Sequence, residues 1–295
     1  MKIGIAGVGR MGAAITARLI DRGHQVTVWN RTRAKAEPLT KMGASIAATA
    51  AELSTANDII VSILTDGNAI AGAYDSPDGL LSGTIKGKVF VEMSTVRPEV
   101  VRSLAERVRA KGAVLVESPV GGSTGPAREG KLFAFVGGER ADVARVQPIL
   151  EDLCRRIEHL GPVGSGASVK LAINLPLLVY YQALGEALAL AKPVGLTPER
   201  LIDIMSDTSG TPGMMKNRAP MFVKQLHGET FAPTVDILNI CKDLRTMIEE
   251  TRSRGGTAPA AQVALACYDE VIKAGLGAAD CTKLSTYWHD QAPTG

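Results

Sequence analysis

The sequence predicts an α/β Rossmann domain, a doubly wound and mostly parallel sheet, followed by an all-α domain built on a long interdomain helix. Three observations lead there. Short apolar runs alternate with amphipathic stretches through the first half, an order that builds a parallel sheet with helices on both faces. The first run leads directly into Gly7-x-Gly9-x-x-Gly12, the glycine spacing of a strand–turn–helix nucleotide site. After Gly161-Pro162 the apolar spacing becomes helical. A chain of 295 residues suits two domains, expected at residues 1–162 for the nucleotide-binding part and 163–295 for the helical substrate and dimerisation part.

Strands are expected at Lys2–Ala6, Gln25–Trp29, Ile59–Ser62, Val89–Glu92, Val114–Glu117 and Leu132–Val136, with helices between them, as at Ala13–Arg22 and Pro98–Lys111. In such a sheet ligands lie beyond the carboxyl ends of the strands. That singles out the loops Gly7–Gly12, Asn30–Arg33, Leu64–Asp66, Ser94–Arg97 and Ser118–Gly130, and makes Leu64 and Thr65 candidate cofactor contacts. From Ser165 onward, Leu171, Leu175, Leu178, Val179 and Leu188 fall on overlapping faces of a helix about thirty residues long. Apolar nearly all round, it should be buried on several sides, which predicts a homodimer or homotetramer formed through the helical domain. The stretch Leu171–Ala191 is long enough to raise the question of a membrane span. Asn174, Gln182 and Glu186 within it favour a core helix and no membrane partner. Pro176 should kink this helix, because it removes an N–H and frees the Ala172 carbonyl.

Composition excludes some functions. Hydrophobic residues make up 45% and charged residues 21%, as in an ordinary globular protein. A net charge of +3 without a long basic run, and 4% aromatics, argue against nucleic acid as a partner. Cys154, Cys241, Cys267 and Cys281 are far apart and form no C-x-x-C pair, so reduced thiols are expected, with no disulfide framework and no metal site. The first strand begins within two residues of the start, which leaves no room for a signal peptide and predicts a cytoplasmic protein.

The chemistry is carried by a few positions. In the loop Gly7-Val8-Gly9-Arg10-Met11-Gly12, the first glycine permits the tight turn and the second lets a pyrophosphate approach the backbone. The third lets the helix pack on the strand, and the helix N-terminus presents unpaired N–H groups to phosphate. An NAD site usually ends its second strand in Asp or Glu, which would repel a 2′-phosphate. Here the strand ends in Asn30-Arg31-Thr32, and a guanidinium can pair with that phosphate, so NADP(H) is preferred and NAD(H) remains possible. Farther on, Gly164-x-Gly166-x-x-x-Lys170-x-x-x-Asn174 opens the long helix and sets Lys170 and Asn174 on one face. Lys170 stands among apolar neighbours at the expected domain junction, and an ammonium there can protonate a carbonyl oxygen as hydride reaches carbon. Burial and a helix N-terminus both disfavour its charged form, which suits proton exchange.

These motifs resemble the β-hydroxyacid dehydrogenases along nearly the whole chain. The resemblance rests on the glycine loop, Glu92-Met93-Ser94-Thr95, Glu117-Ser118-Pro119-Val120-Gly121-Gly122-Ser123, Gly164 to Asn174, and Lys242-Asp243-Leu244-Arg245. It implies hydride transfer between NAD(P) and a small carboxylate-bearing hydroxy acid or aldehyde acid. It further implies Lys170 as general acid/base, Asn174 as substrate positioner, Ser94 and Thr95 as nicotinamide-side contacts, and Lys242 closing over the cofactor. One departure stands out, since the family loop usually reads Pro-Val-Ser-Gly-Gly and here Gly121 replaces the serine. The amides of Gly122 and Ser123 could still form an anion-binding concavity with Gly121. Asn30-Arg31-Thr32 and the loop Ser123 to Ala127 are similar to the glyoxylate and succinic semialdehyde reductase branch, which reduces short aldehyde acids with NADPH. The alternatives are an imine reductase on the same architecture and a non-catalytic NADP-binding regulator.

Overall fold

The computed structural model describes residues 1–293. The chain divides into two units, residues 1–171 and residues from 172 onward. This division falls within the long helix, whereas the sequence reading set its boundary at 162/163.

In the first unit, β1 (Lys2–Ala6), β2 (Gln25–Trp29), β3 (Ser45–Ile46), β4 (Ile59–Ser62), β5 (Val89–Glu92) and β6 (Val114–Glu117) form a six-stranded sheet. Its order is β3-β2-β1-β4-β5-β6 and every pairing is parallel. Chain order reverses between β1 and β4, so their carboxyl ends flank the crevice where ligands bind in doubly wound folds. Leu132–Val136 is a strand as expected, β8, but it stands in a separate sheet between β7 (Val120–Gly121) and β9 (Cys154–His159). There β7 runs antiparallel and β9 parallel to β8.

The helices of this unit are α1 (Arg10–Asp21), α2 (Glu37–Thr40), α3 (Ala50–Ala56), α4 (Gly67–Asp75), α5 (Pro98–Ala110), α6 (Thr124–Glu129) and α7 (Arg140–Leu153). Local chemistry sets their starts. Thr49 Oγ1 takes the Glu52 N–H at 3.0 Å ahead of α3, and Asp66 takes the Ala69 N–H at 2.8 Å ahead of α4. Pro98 opens α5, where a missing N–H costs nothing. Strand alternation sorts the core onto the two faces of the main sheet. Ile3, Ile5, Val26, Val28, Val89 and Val91 pack with Ile15 and Leu19 of α1 and Val146 and Leu150 of α7. Ile60, Phe90 and Leu115 pack on the other side with Leu53, Tyr74, Val101 and Leu104. Each fully buried large side chain contributes about 1.5–3 kcal/mol of transfer free energy.

The second unit takes in most of α8 (Ser165–Ala191), then α9 (Pro198–Ser206), α10 (Met214–Leu226), α11 (Ile237–Ser253), α12 (Pro259–Val271) and α13 (Lys283–Gln291). One face of α8 is buried through Leu178, Tyr181, Leu184 and Leu188. Tyr268 of α12 donates its hydroxyl to the Leu178 carbonyl, and Ser285 Oγ of α13 donates to the Tyr181 carbonyl at 2.6 Å. Gly185 permits this approach, since a Cβ there would lie 2.8 Å from Trp288. Residues 165–194 form a helix long and apolar enough to cross a membrane. Within one copy of the chain it is not covered all round, since Leu190 is 84% exposed. The helical run passes through Pro176 unbroken. Ahead of α13, Asp280 is fully buried and accepts the N–H and hydroxyl of both Thr234 and Thr282, with Arg218 at 3.7 Å. Burial acts to raise its carboxyl, but those hydrogen bonds outweigh it and hold the group below the usual aspartate range.

Candidate active site

The glycine loop leaves β1 in a conformation that its residues require. Gly7 has φ +95° and donates its N–H to the Trp29 carbonyl at 2.9 Å, and a Cβ there would sit 2.4 Å from the Ile63 carbonyl oxygen. At Gly12 a Cβ would meet the Gly7 carbonyl oxygen at 1.9 Å, so only glycine lets α1 lie this close to the strand. Gly9 differs, because a Cβ there would meet nothing within 4 Å. The space above it is open, and it lies at the amino end of α1, directly ahead of Arg10. An open floor against a helix N-terminus fits a pyrophosphate. Val8 is tied instead, donating its N–H to Asn30 Oδ1 at 3.1 Å, while Asn30 Nδ2 donates to the Thr32 carbonyl at 3.0 Å. Asn30 therefore stitches the glycine loop to the end of β2, and Arg31 and Thr32 stand exposed beside it.

The next two strand ends are joined by a buried network. Ser62 Oγ, at the end of β4, donates to Glu92 Oε2 at 2.5 Å and pairs with Tyr74 Oη at 2.6 Å. Glu92 Oε1 accepts the Ser94 N–H at 2.8 Å, and Ser94 Oγ accepts the Leu64 N–H at 2.8 Å. Burial pushes the Glu92 carboxyl up, against the pull of the bonds from Ser62 and Ser94. Ser94 is buried and its hydroxyl is committed to fixing the Leu64–Asp66 loop, while Thr65 is exposed and Thr95 half-buried.

The amino end of α8 is held by Glu117, the last residue of β6. Its side chain is fully buried, and Oε1 accepts the N–H groups of Gly164 at 2.6 Å and Gly166 at 2.7 Å. Oε2 takes the Ala167 N–H at 3.3 Å. Burial pushes this carboxyl up to about 7, against the opposing pull of those three amides and of Arg102. Two glycines shape the seat. A Cβ on Gly137 would lie 2.2 Å from Glu117 Oε1, and one on Gly166 would lie 2.2 Å from the Phe135 carbonyl oxygen. Lys170, one turn beyond Gly166, is only 8% exposed. Gly121 pairs with Phe133 in the β7–β8 ladder, and a side chain there would make ordinary contact with the Phe135 ring at 3.4 Å. The missing serine is thus not forced by crowding. Gly122 and Ser123 lie past the ladder, with Ser123 directly ahead of α6.

Further along α8, Asn174 is half-buried, four residues after Lys170. In the second unit Lys242, on α11, has its Nζ 2.5 Å from Asp243 Oδ1. The sequence reading missed the connecting roles of Glu92 and Glu117. One signal was present, a glutamate closing each of two otherwise apolar strands, Val-Phe-Val-Glu and Val-Leu-Val-Glu, which prove to be register partners.

Comparison with known proteins finds matches in both halves of the chain. Residues 2–161 match the family model described as the NAD binding domain of 6-phosphogluconate dehydrogenase. Residues 164–288 match that described as NAD-binding of NADP-dependent 3-hydroxyisobutyrate dehydrogenase. The chain is 31% identical over 280 residues to glyoxylate/succinic semialdehyde reductase 1 of Arabidopsis thaliana, covering 95% of this chain and 96% of that protein. It is 35% identical over 208 residues to 3-hydroxyisobutyrate dehydrogenase of Pseudomonas aeruginosa, covering 70% of each. Among solved structures, Psf3 in complex with NADP+ and 2-OPP superposes with a TM-score of 0.86 at 27% identity, covering 97% of this chain and 99% of that one.

Proposed function

The chain belongs to the β-hydroxyacid dehydrogenase family and is an NAD(P)-dependent oxidoreductase, and on that premise we propose that it reduces short aldehyde acids with NADPH, Lys170 serving as general acid. The observation that carries the reading is Lys170 itself, an ammonium 8% exposed one turn inside a helix whose first amides are clamped by a buried carboxyl. When bound, the reduced nicotinamide supplies the hydride to the carbonyl carbon. Lys170 meets the charge left on oxygen by giving it a proton, and takes one back in the reverse oxidation. Asn174 positions the substrate without adding charge, and Lys242 contacts the cofactor. The Gly122 and Ser123 amides hold the substrate carboxylate. The first-turn amides of α1 hold the pyrophosphate, Thr65 and Thr95 flank the cofactor, and exposed Arg31 pairs with a 2′-phosphate, with NADH a poorer alternative.

Support for this substrate class comes from the name of the Arabidopsis relative and from the Gly122–Ser123 turn. The four cysteines stand as free thiols, which suits the reducing cytoplasm. We also propose that copies of this chain associate through the exposed side of α8.

The test is kcat for glyoxylate and succinic semialdehyde at saturating NADPH. Lys170→Ala should lower kcat about 10²–10⁴-fold with NADPH binding nearly intact. Lys170→Arg should not restore it, because a guanidinium keeps its proton. Near-normal kcat in either variant would overturn the role. Turnover of imines but not aldehyde acids would replace it with the imine-reductase reading, and no turnover of any carbonyl or imine with the regulator.

A further inference from the structure

We propose that Glu117 is a positioning residue for the reaction, its Oε1 fixing the depth and rotation of the first turn of α8 and so the place of Lys170. The inference rests on the reading of Lys170 as general acid. Glu117 Oε1 accepts two amides of that turn, from Gly164 at 2.6 Å and Gly166 at 2.7 Å. Lys170 follows Gly166 by four residues, so the amide that Glu117 holds lies almost directly beneath the lysine on the helix surface. The seat allows no slack. Gly137 and Gly166 each lack the Cβ that would collide, at 2.2 Å, with Glu117 Oε1 and the Phe135 carbonyl oxygen respectively. The same residue ends β6, and the short strand β7 that follows leads into Gly122 and Ser123. One carboxyl thus registers the loop assigned to the substrate against the helix that bears the acid.

The bond pattern says which property of the side chain matters. Both short bonds converge on Oε1, while Oε2 has only the 3.3 Å contact with Ala167. A protonated carboxyl with its hydrogen on Oε2 keeps both short bonds, so a neutral acceptor of the right reach suffices. Glutamine supplies that acceptor. Aspartate keeps the charge but withdraws the oxygens by one methylene, about 1.5 Å, from both amides.

The experiment compares wild type, Glu117→Gln, Glu117→Asp, Lys170→Ala and the double variant Glu117→Asp/Lys170→Ala. Each is assayed with glyoxylate at saturating NADPH, with kcat normalised to NADPH-binding sites and NADPH affinity read by fluorescence. Glu117→Asp should lower kcat about 10²-fold, the scale of a catalytic group misplaced by about an ångström. NADPH affinity should stay within about threefold of wild type, and Glu117→Gln should retain kcat to within about tenfold. In the Lys170→Ala background Glu117→Asp should cost nothing further, because groups that act as a unit are non-additive. A merely structural role would lower melting temperature and leave normalised kcat unchanged, and that result overturns the proposal. An equal loss in both backgrounds overturns it too. If Glu117→Asp binds no NADPH, Glu117→Gln decides: retained kcat upholds the proposal, and a 10²-fold loss with NADPH bound overturns it by showing that the charge is required. Should Lys170→Ala keep near-normal kcat, the general-acid reading itself has failed. Collapse of Lys170→Ala beside an unaffected Glu117→Asp refutes only the present inference.

Discussion

Arg31 stands exposed at the carboxyl end of β2, in a loop whose shape is set by its neighbour Asn30. That division of labour, a buttoned asparagine beside a solvent-facing guanidinium, makes cofactor choice separable from loop structure. Arg31→Ala should weaken NADPH by about 1.5–3 kcal/mol, the value of a hydrogen-bonded charge pair, and leave NADH nearly unchanged. Fluorescence titration with both nucleotides checks it, and equal weakening of the two would remove Arg31 from the 2′-phosphate. The glycine loop was legible because its spacing after a strand is itself the signal, even though the contact that excludes a side chain at Gly7 comes from Ile63, far along the chain. The Ser94 side chain was not. Its hydroxyl oxygen accepts the Leu64 N–H, thirty positions earlier in the chain, a bond that its expected place beside the nicotinamide did not indicate. A bond of that span leaves no periodic trace in sequence.

Among the elements, the strands the sequence revealed are four or five residues long and mostly buried, and in β4 and β5, buried along their whole length, an unbroken apolar run is itself the signal. Two-residue β3 and β7 are too short to show a period, and β9, Cys-Arg-Arg-Ile-Glu-His, lies at a half-exposed edge where polar residues are tolerated. The clamp on α8 was equally invisible, since Glu117 reaches amides 47 and 49 residues away. It has a measurable consequence for stability. Ordinarily the carboxyl titrates at 4.5, and in the fold it is pushed up to about 7, so the folded chain holds this proton more firmly than the unfolded one. Its contribution is complete below pH 4.5 and is lost as pH rises to about 7. Urea unfolding of wild type and Glu117→Gln between pH 4.5 and 8 isolates the effect. The stability of wild type relative to the glutamine variant should fall by about 2–3 kcal/mol across that range. A constant difference would show that the carboxyl titrates in the fold as it does in the unfolded chain.

For the whole molecule, the outstanding feature is α8, with Leu178, Tyr181, Leu184 and Leu188 inside the second unit and Leu190 left 84% exposed. Val194, just past its end, is 69% exposed. Apolar residues so placed are costly to leave in water, and self-association is the proposed remedy. Leu190→Glu should then shift sedimentation toward the monomer at micromolar protein while leaving far-ultraviolet dichroism intact, and an unchanged oligomer would place the contact elsewhere. The two-part architecture was readable from the change in periodicity after Gly161-Pro162. The one-sided burial of α8 was not, because an all-round apolar helix carries no mark of which side its own chain will cover. The seat of Glu117 finally bears on how such a chain can change over generations. Gly137 cannot gain a methyl while Glu117 is present, and Gly166 cannot gain one while the Phe135 carbonyl stays in place. Positions 137 and 166 are therefore held to glycine for as long as the clamp keeps its seat, Gly137 by the Glu117 carboxyl and the Pro162 carbonyl and Gly166 by the Phe135 backbone. Lineages that keep the Glu117 clamp should keep both glycines, even where the surrounding surface drifts freely.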